Sequence, residues 1–236
     1  MKKRALRNVL LIAPVIILGL GIGLGLSKIS ASRKLGGTTR QFPPTQAAAP
    51  ADNRTLREKA KEKGQYVADK SPTKVNAYSD LKGLAKDSSA VIIGIPQDNV
   101  STLSADGKSI TLDYKVKVMY VYKGALQEGN IITVSLPGGR VSFEDGSMAE
   151  IRSPWFKKMM GGKAYALFLT PAPRAGAYAT TGEAEGLFEV PMTAKDIQTV
   201  QTHSGLPNDP IWKYQGKDAK AFFKELRQAT GKPLKK

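Results

Sequence analysis

Ser147 and Lys163 are the first pair in this sequence with chemistry to offer, since a serine beside a neutral lysine amine is a nucleophile with its base. Their types match a membrane-anchored serine–lysine peptidase, although Ser147 sits inside "EDGS", a turn-like stretch deep in the chain. His203, the single histidine, lies in "QTHSGLPNDP", a polar loop-like stretch that fits a surface or capping histidine better than a catalytic base. Glu144, Asp145 and Glu150 lack the alternating oxygen-ligand spacing of a dedicated calcium loop and read as a solvated turn. With no cysteine, disulfides, zinc–thiolate sites and iron–sulfur clusters are excluded. We therefore expect no catalytic residue, cofactor or metal.

Two groups remain as candidate binding residues. "LPGGR" places Gly138 and Gly139 before Arg140, where backbone amides and a guanidinium can meet an anion; a strand-ending bend accounts for the same residues. Lys115 and Lys117 alternate with Val116 and Val118, which puts both lysines on a solvated strand face.

The elements that carry these residues are β-strands. Residues 90–95 form a continuous apolar run. Ile110, Leu112, Tyr114, Val116, Val118, Tyr120 and Tyr122 then recur at every second position, which predicts a strand with one face inward. Met119 and Val121 break the polar face where the strand is expected to be covered on both sides. "KGALQEGN" reverses the chain, and residues 131–136 return antiparallel until Pro137 and the two glycines end them. A further hairpin is expected around Asp145–Gly146. "KAYALFLT", apolar on both faces, should be a central strand, and "GAYATTG" and "GLFEV" complete a set of about seven short strands. Two helices flank them. Ser79 is placed to cap a short one bearing Leu81, Leu84 and Ala85. Asp218 and Gly231 bracket an amphipathic one with Ala219, Phe222, Phe223, Leu226 and Ala229 on a stripe.

The formal charge of +16 is unevenly spread: residues 1–34 hold 7 basic and 0 acidic groups, whereas 78–190 hold 12 of each. A groove that follows nucleic-acid phosphates needs its surplus on the folded domain, so nucleic acid is not an expected partner. The basic start is followed by an uncharged apolar run, residues 9–26. At about 1.5 Å per residue it reaches across a bilayer core, which predicts a transmembrane anchor with a cytoplasmic N-terminus and the remainder outside. The alternative is a signal peptide cleaved near "SASR", giving a secreted protein. Residues 35–77, with Gly/Pro punctuation and a short charged stretch capped by Asn53, read as a flexible tether with little to bury. The expected organisation is thus anchor 1–34, tether 35–77, β domain 78–190 and helical extension 191–236.

"DLKGLAKDSSAVIIGIP", "YKVKVMYVYKGALQEGNIITVSLPGG", "PWFKKMMGGKAYALFLTP" and "GLFEV" together resemble bacterial extracytoplasmic domains. Their layout is similar to the OB-like barrel of the tissue-inhibitor-of-metalloproteinase and netrin modules. The resemblance covers residues 78–190 and implies a small antiparallel barrel, with a β-sandwich as the alternative architecture. It implies no functional residue, because the inhibitor chemistry uses an amino-terminal cysteine that this chain lacks. The expected function is a non-enzymatic, membrane-tethered module that binds an envelope protein or cell-wall component, with its oligomeric state open.

Overall fold

The computed structural model describes residues 52–72, 78–192, 199–206 and 208–232. The expected span at 9–26 lies outside the described residues, as does most of the expected tether. Among the described residues no helix is long and apolar enough to cross a membrane. The chain is mainly β, with two mixed sheets and three α-helices among the described residues. The first elements are α1 (Leu56–Lys63), β1 (Gln65–Asp69), α2 (Leu81–Asp87), β2 (Ala90–Leu103), β3 (Ile110–Lys123) and β4 (Ile131–Pro137). There follow β5 (Gly139–Ser142), β6 (Met148–Arg152), β7 (Ala164–Pro171), β8 (Ala177–Thr180), β9 (Leu187–Val190), β10 (Gln201–Thr202) and α3 (Ala219–Thr230).

The expected hairpin is present: β3 pairs antiparallel with both β2 and β4. Leu112, Tyr114, Val116 and Val118 are buried in one cluster, while Lys115 and Lys117 are exposed. The seven-residue alternation does not run through, however. Ile93 pairs with Tyr120 and Gly94 with Val118, so Met119 is an extra residue in the ladder and stands 40% exposed. An inserted residue shifts parity by one. Val121 therefore packs against the inner cluster, whereas Tyr120 and Tyr122 turn to a second one. A second departure is Asp113, on the nominally wet face yet only 2% exposed.

Strand β7 shows why its sequence is apolar on both faces. Tyr165, Leu167 and Leu169 enter the cluster that holds Val116, and Ala164, Ala166 and Phe168 enter the cluster beneath α2 and α3. β7 pairs antiparallel with β2, β9 and β8, and β8 pairs parallel with β4. Pairing thus runs β7–β2–β3–β4–β8 and returns to β7. The short β10 pairs with β9, so the C-terminal segment adds a strand as well as helix.

α3 begins at Asp218, whose carboxylate accepts the Ala221 amide at 2.9 Å, and ends at left-handed Gly231. Its Phe222 packs among Phe188, Tyr214 and Phe223; burying such a ring contributes about 2–3 kcal/mol. α2 is capped by Asp80 rather than Ser79, because the Asp80 carboxylate reaches the Gly83 amide at 2.8 Å.

The spacer reading fails for residues 56–69. Thr55, not Asn53, caps α1 through a capping box with Glu58. Leu56 and Ala60 are buried with Ile110 and Ala149, and β1 pairs parallel with β6 in a small sheet ordered β1-β6-β5. One leucine and one alanine suffice because the helix covers a narrow strip.

Candidate binding site

A cavity of about 690 Å³ opens between the small sheet and the β2–β4 part of the larger one. Its floor is Leu112, Tyr114, Leu136, Phe156 and Met159; its charged rim is Asp69, Arg140, Glu150, Arg152 and Lys158. Asn99 and Ser101 of β2 complete the mouth. The volume falls in the range of small-ligand sites, and the lining is mixed, an apolar floor beneath a rim of charged and polar side chains.

The Pro137–Gly138–Gly139 step builds the cavity. β4 ends in the large sheet at Pro137, and β5 starts in the small sheet at Gly139. The crossing uses φ of 100° and 137° at the two glycines, angles that side chains oppose. A Cβ at Gly138 would lie 2.9 Å from the Ile151 carbonyl, and one at Gly139 would lie 2.7 Å from Ser101 Oγ. Arg140 is thereby delivered to the rim, its amide donating to Ser101 Oγ at 3.1 Å. Glu150 accepts from Arg140 Nη2 at 2.7 Å and from Arg152 Nε at 3.4 Å. The Arg140 hydrogen bond, more than the Arg152 contact, holds the Glu150 carboxyl below the usual range.

The wall at 153–163 is fixed by the core. Burial pushes the Tyr114 phenol up to about 12, and that oxygen accepts a backbone hydrogen bond from Met159. The Tyr165 hydroxyl accepts the Met160 amide at 2.8 Å. Behind the wall, the Gly205 amide donates to the Trp155 carbonyl at 2.7 Å, and the Lys157 amide to the His203 carbonyl at 3.1 Å. His203 is not a surface residue: it is 4% exposed, with Nδ1 2.8 Å from the Lys157 carbonyl. Facing a carbonyl, Nδ1 carries the proton. Burial outweighs the opposing pull of that carbonyl and of Glu189, 3.7 Å from Nε2, so the ring titrates below its ordinary value. It is a strut for the wall.

The five candidate residues separate into two places. Gly138, Gly139 and Arg140 line the cavity. Lys115 and Lys117 point from the opposite face of β3, where Lys115 Nζ donates to Thr133 Oγ1 at 3.0 Å. Ser147 and Lys163 are held apart in different partnerships. Ser147 is buried in the β5–β6 turn, its hydroxyl donating to Asp145 at 2.6 Å, and Lys163 donates to Glu189 at 2.6 Å. The Glu189 hydrogen bond pushes the Lys163 ammonium up, opposite to what a lysine base needs. Glu144 and Asp145 are exposed, and no metal-binding group of carboxylates and histidine occurs among the described residues.

Sequence reasoning missed Asn99, Ser101, Arg152 and Lys158, which reach the cavity from elements distant in sequence, and for which no local pattern signals a shared site. Comparison with protein-family models and with curated proteins returns no match.

Proposed function

We propose that this protein is a non-catalytic binding module, tethered to a membrane through residues 9–26 with its domain outside. In this reading its ligand, an envelope protein or a cell-wall component, enters the cavity beneath Gly138–Arg140. The cavity is the observation that carries the reading: an apolar floor, a charged rim and walls held by buried tyrosines make a preformed site. The basic start and the apolar run support the anchor. The return of the strand pairing to β7 and the parallel β4–β8 step support an OB-like barrel over a sandwich. That is the architecture the netrin-type resemblance implies.

The test is capture by the full-length chain, held in detergent micelles, of solubilised envelope proteins and purified wall polymers. Asn99→Trp fills the mouth from an exposed position and should abolish capture with the thermal melt unchanged. Lys117→Ala, on the far face, should capture as the parent does. Capture indifferent to Asn99→Trp overturns the reading.

A further inference from the structure

We propose that the cavity takes a monoanionic carboxylate carried on an apolar body, with the carboxylate against Arg140 and Arg152 and the body on the floor. This rests on the cavity being the binding site. Five charged side chains line it, three cationic (Arg140, Arg152, Lys158) and two anionic (Asp69, Glu150), leaving one positive charge in excess. One carboxylate balances that excess; a dianionic phosphate overshoots it.

Arg140 and Arg152 stand at the rim around one carboxylate, each more than half exposed. Glu150 bridges both arginines, using Nη2 of Arg140 and only Nε of Arg152. The two Nη groups of Arg152 donate to nothing among the described residues, and a guanidinium fork matches a planar carboxylate bidentately. Leu112, Leu136, Phe156 and Met159 then meet the apolar body, which an inorganic anion lacks.

Such a carboxylate has two sources: a small free acid or the carboxy terminus of a peptide with an apolar last residue. The experiment is calorimetric titration of the full-length chain in zwitterionic nanodiscs with 3-phenylpropionate and with Gly-Gly-Phe, each against its amide. At least one acid should bind about tenfold or more tighter than its amide, and more weakly as salt rises from about 50 to about 300 mM. Arg152→Gln should lose about tenfold while Arg152→Lys keeps part of the affinity. Whichever acid binds tighter identifies the source. Amides that bind as tightly as the acids overturn the proposal. So does an absence of binding by either acid. If capture is still lost in Asn99→Trp, the binding module stands and only the ligand chemistry falls; if capture is also unaffected, both fall.

Discussion

Arg174, in the loop between β7 and β8, places Nη1 2.7 Å from Oδ2 of Asp113 on β3, a carboxylate that is almost wholly buried. Asp113 also accepts from Thr102 and Ser135 hydroxyls at 2.5 Å each and from Thr111 at 3.2 Å. One side chain thus ties β2, β3, β4 and the β7–β8 loop together. Asp113→Ala should cost about 2–4 kcal/mol in urea melts, since it strands three hydroxyls and a guanidinium. Arg174→Ala, removing a half-exposed partner, should cost about 1–2 kcal/mol. Equal, near-zero costs would remove Asp113 from the account of the fold.

Stability should fall with acid in two separable steps. Burial pushes the Asp113 carboxyl up, but hydrogen bonds from Ser135 and Thr102, then Arg174, outweigh it and set the folded value below the unfolded one. Its contribution is complete above about pH 5 and is lost as pH falls through the lowered value. His203 is also depressed, by burial, so its contribution is complete above its unfolded value and declines below about pH 6.5. Urea midpoints from neutral to acidic pH should show both declines. His203→Asn should flatten the upper one and Asp113→Asn the lower.

Gly94 and Val116 share one space: a Cβ on Gly94 would sit 2.4 Å from Val116 Cγ1. Val116→Ala should cost about 1–3 kcal/mol, and Lys115→Ala or Lys117→Ala within about 0.5 kcal/mol. Gly94→Ala should destabilise the parent but cost less beside Val116→Ala, where its methyl enters the vacated volume. A double-mutant cycle measures this; strict additivity would contradict the shared packing.

Leu56→Ala should cost about 2–3 kcal/mol and raise amide exchange in both α1 and β1, because the helix docks on Ile110 and the small sheet. Exchange of β1 amides at unprotected rates in the parent would return residues 56–69 to the tether.

What was legible in the sequence was local. The period of two from Ile110 to Val118 marks β3, and Asp218 and Gly231 mark the ends of α3, because neighbours along the chain decide those features. The slip at Met119 was not legible, since a bulge is defined against the partner strand β2. Asp113 falls on the wet side of that period, and its burial was not legible because it depends on Thr102, Ser135 and Arg174, none adjacent to it. Arg140 follows from the glycine step, whereas Arg152 and Lys158 reach the same cavity only through the way β6 and the wall fold back. The cavity lining was therefore legible only at the bend that creates it.

A photoreactive benzoylphenylalanine placed at Asn99, and separately at Lys117, tests the cavity as the working face in intact cells. Irradiation should yield a discrete cross-linked product from Asn99 and none from Lys117. A product from Lys117 with none from Asn99 would contradict the account and move the site to the outer face of β3.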